Sequence, residues 1–274
     1  MLQRNRRLSN TRGRRQVKLG CLPYLNVRPL VYTLEHGELP KGWEFVYAPP
    51  SALARMLESG EIAAAPVSSF ACLRNSDLRM CPGICIAANG PVRSVLILSR
   101  VPPERIARVA LDTSSLSGAA MARIILDESF GVRPEFVRAN PDVLRGGVLY
   151  DTDAVLLIGD PAMLCPKDGL YVLDIGSEWM KLTGLPAVFA VWAGRGMTSE
   201  LVSVLQEAKA RGLGLLSEIA AKESQRLGLS FETCLEYLSE VISYDMRERE
   251  ARSLEVFRRK AQAHGLFDCE VASR

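Results

Sequence analysis

Apolar and polar positions along this chain switch period repeatedly, and the switches mark out its elements. Up to about residue 194, short apolar runs of strand length alternate with stretches of helical period. Val17–Leu22, Trp43–Ala48, "EIAAAPV" (61–67), Met80–Ala87 and Val92–Ser99 read as strands. Helices are expected over Val27–His36, stopped by Gly37, and over "PPSALARMLESG", with Ser51 as cap and Gly60 as stop. Another follows in "SSFACLRN". The Asn-Gly of "ANGP" stands between the last two strands as a hairpin turn would. The prolines of "VPPERI" then break the pattern and a second series begins. Its strands are "RVALD", "PEFVRA", "DAVLLIG", "GLYVLDI" and "AVFAVWAG". Its helices are Leu116–Phe130, "DPAML" and Gly176–Leu182, with a short helix or turn at "PDVLRGG". From Ser199 onward only helices are expected, over 199–211, 215–227, 231–240 and 247–264.

Strand-helix alternation with short loops implies an α/β protein of parallel sheets covered by helices. Two series with an all-helical tail imply two lobes. Residues 17–98 and 193–274 are expected in lobe one and 99–192 in lobe two, with the C-terminal helices closing over lobe one. Two lobes joined by two crossings enclose a central interlobe cleft, the default ligand site. The layout resembles that of type II periplasmic binding proteins.

Composition narrows the function classes. Hydrophobic residues make up 48% of the 274, ample for a real core, yet no apolar run reaches the roughly 20 residues of a membrane span. No signal-peptide pattern follows the basic N-terminus. The net charge of +3 is misleading. Residues 1–16 carry six arginines and no acid, leaving 28 basic against 31 acidic side chains in the rest. The body is therefore not basic, nucleic acid is not the expected partner, and the arm reads as a disordered extension. The seven cysteines (21, 72, 81, 85, 165, 234 and 269) are odd in number and lack a CxxC spacing. Reduced thiols in a cytoplasm are expected. "CPGIC" has no second pair, so no zinc site is expected.

Histidine, the commonest general acid/base, occurs twice, and both His36 and His264 precede a glycine that reads as a helix C-cap. Neither a nucleophile–histidine arrangement nor a metal-binding histidine motif is indicated. "GRG" and "GLG" do not continue as a nucleotide fingerprint. What remains is a set of hydroxyl- and amide-bearing strand-to-helix junctions. They are "PYLN" (Tyr24, Asn26), "PVSSF" (Ser68, Ser69), "PVRSV" (Ser94), "LDTSSLSGAA" (Thr113, Ser114, Ser115, Ser117) and "LIGDPAM" (Asp160). Asn26 stands where a helix N-cap belongs. Singly, each junction is an ordinary cap. Together, at the ends of strands bordering one cleft, they suit a small carboxylate ligand.

The stretches "LPYLNVRPL", "LDTSSLSGAAMARIIL", "LLIGDPAM", "DIGSEWMKLTGLPAVFAVWAGR", "YLSEVISYDM" and "SLEVFRRKAQAHGL" occur in order from about residue 17 to 267. Together they resemble the chorismate dehydratase family of the futalosine route to menaquinone. The resemblance implies a periplasmic-binding-protein type II fold used inside the cell, and removal of water from chorismate to give 3-(1-carboxyvinyloxy)benzoate. It implies no cofactor or metal, and a base supplied by the substrate's own side-chain carboxylate. Asn26 and Ser94 match positions implied to be catalytic. Tyr24, Ser68, Ser69, Thr113, Ser114, Ser115, Ser117 and Asp160 are then expected to bind the dicarboxylate. One departure is Leu116, where the resemblance leads one to expect a polar residue, often arginine. The rival readings are 1,4-dihydroxy-6-naphthoate synthase of the same pathway, a regulator's effector domain and a non-catalytic small-carboxylate-binding protein.

Overall fold

The computed structural model describes residues 17–112, 116–139 and 151–268. The expected turn at "PDVLRGG", the basic arm and Cys269 lie outside them.

The first sheet system starts with β1 (Val17–Cys21) beside β2 (Trp43–Tyr47), paired in parallel. A bridge from Leu19 to Ala64 ties β1 to the chain entering β3 (Ala65–Ser68). Next come β4 (Arg79–Ala88), β10 (Ala187–Gly194) and the two-residue β11 (Ile242–Ser243), in the order β11-β4-β10-β3. The second sheet has the order β7-β6-β8-β5-β9. Its strands are β5 (Val95–Ser99), β6 (Arg108–Asp112), β7 (Glu135–Ala139), β8 (Ala154–Ile158) and β9 (Tyr171–Asp174).

Ten α-helices cover these sheets among the described residues. They are α1 (Arg28–Thr33), α2 (Pro50–Ser59), α3 (Ser69–Arg74), α4 (Leu116–Phe130), α5 (Asp160–Leu164), α6 (Ile175–Thr183), α7 (Ser199–Leu213), α8 (Leu216–Leu227), α9 (Phe231–Glu236) and α10 (Glu248–Ala263). Their starts follow elementary capping chemistry. Ser68 accepts the Ala71 N–H, Asp174 the Ser177 N–H and Thr198 the Leu201 N–H. The "EWMKLTGLPAV" segment anchors the C-terminal helix: Trp179 Nε1 donates to Ser253 Oγ, which donates to the Pro186 carbonyl.

The structure corrects five expectations. The sheets are mixed, since β5 runs antiparallel to β8 and β9, and β10 antiparallel to β3 and β4. "ANGP" makes no hairpin, because β4 and β5 lie in different sheets and residues 89–94 cross between them. The return crossing precedes β10, which pairs with β3 and β4. The strand partners therefore put 95–98 with the second sheet and 187–192 with the first, the reverse of the expected limits. Ser51 does not cap α2, whose N-cap is Pro49 with Pro50 in its first turn. The C-terminal region is not purely helical, because Ile242 and Ser243 add an edge to β4. No helix among the described residues is long and apolar enough to cross a membrane.

Candidate active site

Between the two sheet systems lies a cavity of about 170 Å³. The first system contributes Leu22, Tyr24, Asn26, Val67, Ser68 and Phe189, and the second Val95, Leu116, Ile158 and Gly159. Its wall is mostly apolar, with Tyr24, Asn26 and Ser68 as the polar side chains. No lysine, arginine or histidine is among the described lining residues, and Tyr24 is the one titratable group among them. Two helices begin on the wall, α2 at Pro50 and α4 at Leu116, and a helix N-terminus carries a partial positive charge. Leu116 also borders a more polar hollow of about 370 Å³ that contains Arg74.

Tyr24 precedes a single 3-10 turn, Leu25–Val27, that leads into α1. Its ring lies across Gly159, whose φ is +64° and where an added Cβ would stand 3.0 Å from the ring. Only glycine satisfies both the left-handed backbone and this approach. Asn26 sits inside the 3-10 turn and caps nothing. Tyr24 precedes the turn and Val27 precedes α1, neither with a side-chain cap. The turn winds before Pro29, so the helix starts later than expected and the Asn26 amide is released to the cavity. That side-chain amide acts on the Tyr237 hydroxyl, favouring the ionised phenol there.

Tyr237 is the residue that sequence reasoning missed. It is wholly buried, and its hydroxyl donates to Ser94 Oγ at 2.7 Å. Burial pushes its phenol well above the ordinary range, so it stays protonated at neutral pH. Tyr237 thus stands between Asn26 and Ser94, hydrogen-bonded to Ser94. Ser94 does not face the cleft as expected. It is fully buried behind the wall, and its carbonyl accepts the Gly159 N–H at 2.7 Å.

The other expected binding residues separate. Ser68 lines the cavity, whereas Ser69 and Ser117 lie behind it. Ser117 Oγ is 2.7 Å from Ser68 Oγ and 3.0 Å from Ser69 Oγ and accepts the Phe70 N–H, so the three serines tie α4 to α3. Asp160 is not on the wall. Its carboxylate accepts the Leu25 N–H at 3.0 Å and pairs with Arg226 at 3.0 Å. Arg226 continues to Glu223, Arg28 and Glu35 through successive ion pairs. Asp160 therefore holds the turn that carries Asn26, and a buried carboxylate so engaged is unsuited to meeting a dianion. Thr113, Ser114 and Ser115 lie outside the described residues. His36 contacts the Tyr32 carbonyl and Lys222, and His264 contacts Asp127 and Glu128, neither on the cavity wall.

Two mixed sheet systems closed over a central cavity define a protein of the periplasmic-binding-protein fold. The periplasmic aliphatic sulphonate binding protein of Escherichia coli superposes with a TM-score of 0.60 at 16% identity, over 93% of this chain and 89% of that one. A crystallised protein of Archaeoglobus fulgidus gives a TM-score of 0.75 at 19% identity, over 91% and 98%. The family model for menaquinone biosynthesis matches residues 17–263, and the chain belongs to that family. Two of its relatives are named chorismate dehydratase. One, from Thermus thermophilus, is 34% identical over 90% of this chain and 95% of its own. The other, from Campylobacter jejuni, is 26% identical over 90% and 98%.

Proposed function

We propose that this protein is a chorismate dehydratase, a carbon–oxygen lyase of menaquinone biosynthesis that works in the cytoplasm. The observation that carries the reading is the chemistry of the cavity wall. Among the described lining residues the one titratable group is a phenol, the other polar side chains are the Asn26 amide and the Ser68 hydroxyl, and two helices begin on the wall. Such a wall orients a carboxylate-bearing molecule but supplies no competent base at neutral pH. Chorismate brings its own carboxylate on the enolpyruvyl side chain. That carboxylate takes the proton from the ring carbon bearing the ether. The C–H electron pair becomes the ring double bond that completes aromaticity. The neighbouring C–O bond breaks, and hydroxide leaves with its pair and takes up the proton as water. Asn26 faces the reacting substrate, and Ser94 supports it through Tyr237. Tyr24, Ser68 and the N-terminus of α4 hold the carboxylates. The six described cysteines are free and buried, which supports a reducing compartment.

The test is chorismate turnover followed by ultraviolet absorbance of the aromatic product. Wild-type protein is expected to produce it, and Asn26→Ala to lower kcat by about 100-fold while staying folded. Binding of chorismate without aromatic product would leave a carboxylate-binding protein and defeat the reading.

A further inference from the structure

Arg93 is the one non-glycine residue with a positive φ, +61°, among the described residues. It directly precedes Ser94. L side chains rarely adopt this conformation, and it persists only where neighbours over-determine it. Three contacts do so. The Asp174 carboxylate accepts the N–H of Val92 at 2.9 Å and of Arg93 at 2.7 Å. The Arg93 guanidinium pairs with Glu236 at 2.7 Å, and the next residue of each, Ser94 and Tyr237, make their own hydrogen bond. Finally, the crossing rests on the first turn of α6, where a Cβ on Gly176 would stand 2.3 Å from the Gly90 carbonyl oxygen. Asp174 is also the N-cap of α6, through Ser177. Capping accounts for that bond alone, not for two amides more than 80 positions away in the chain.

We propose that Asp174 is a positioning residue: by clamping the Val92 and Arg93 amides it fixes the left-handed turn that sets Ser94 against Tyr237. This assignment rests on the dehydratase reading where turnover is measured, and on geometry alone where the turn itself is observed. In Asp174→Asn one acceptor oxygen becomes a donor, so the two amides can no longer both be satisfied. The crystal structure of this variant is expected to show residue 93 outside the left-handed region, with the Tyr237–Ser94 hydroxyl distance opened beyond about 3.5 Å. Its kcat on chorismate is expected to fall about 10- to 100-fold with little change in KM. Adding Arg93→Gly, which takes a positive φ freely, is expected to restore both the turn and most of kcat. Rates are compared well below the Tm of every variant, because glycine at a positive φ also relieves strain and raises stability on its own. Should Asp174→Asn not fold, Asp174→Ser keeps the α6 cap and takes its place. A turn unmoved in the crystal, an unchanged kcat, or no recovery on adding Arg93→Gly overturns the assignment. If wild-type protein yields no aromatic product, the dehydratase reading fails and the crystallographic comparison alone decides the role of Asp174.

Discussion

Removing one oxygen atom, in Tyr237→Phe, tests whether the buried chain from Asn26 to Ser94 serves chemistry or only packing. The ring stays and continues to fill its site, so no cavity opens. What is lost is the hydrogen bond donated to Ser94, together with the phenol oxygen beside the Asn26 amide. Ser94 is wholly buried, with no solvent to replace its partner, and an orphaned buried hydroxyl costs about 1–3 kcal/mol. Asn26 is half-buried on the cavity wall, where water can take the place of the phenol oxygen. The expected stability loss is thus about 1–2 kcal/mol, or about 2–8 °C of Tm in a chain of this size. The rate effect is separate. Without the bridge the Asn26 amide is no longer held in one orientation, and misplacing an orienting group costs about 10- to 100-fold in kcat. KM should change less. Because Tyr237 stays protonated well past neutrality, the variant should keep the pH–rate profile of the wild type below about pH 9, at a lower height. Scanning calorimetry and steady-state kinetics on the same preparation measure both quantities. A lowered Tm with kcat within about twofold of wild type would show that the bridge only packs. Loss of one limb of the pH profile would show that Tyr237 moves a proton.

Three further outcomes are expected. Asp160→Ala leaves the buried Leu25 N–H without its acceptor and should lower Tm by about 4–8 °C, from a loss of about 2 kcal/mol; an unchanged Tm in a thermal melt would mean that Asp160 does not hold the turn. The double change His36→Gln and His264→Gln should lower kcat on chorismate by less than about tenfold, since loss of a true general base costs about 100-fold or more; a loss of that larger size would refute the substrate-derived base. Alkaline stability should fall in a stated window. Burial pushes the Cys21 and Cys85 thiols up to about 12 and those of Cys72 and Cys81 up to about 11. The unfolded chain releases these protons near pH 8.5–9, so the stability they contribute is complete below about pH 8.5 and is lost as pH rises toward 11–12. Urea midpoints constant from pH 8 to pH 11 would contradict the burial of these thiols.

The periodic pattern alone located most strands and helices, because period reports which face of an element is buried. Leu116–Phe130, "RVALD" and "AVFAVWAG" carry through with the same limits. The junction residues Tyr24, Asn26 and Ser68 were legible for a related reason. Polar residues at the end of a strand that opens a helix stand where an α/β cleft forms, and all three reach the cavity. Partners were not legible. A strand buried on both faces reads the same whether its neighbour is parallel or antiparallel, so nothing in "VLILS" distinguishes a hairpin with β4 from its actual place between β8 and β9. Tyr237 reads as a core aromatic on a helix because its meaning lies 143 positions away, at Ser94. Asp160 reads as a ligand-facing acid until the fold brings it to the Leu25 N–H and Arg226. The left-handed turn at Arg93 has no local signal, since the residue type opposes it and the contacts that enforce it among the described residues come from Asp174, Glu236 and Gly176. Local sequence sets which groups are polar and which face is buried. The tertiary structure alone decided which of those groups meet, because hydrogen bonds across the cleft join residues that no local period relates.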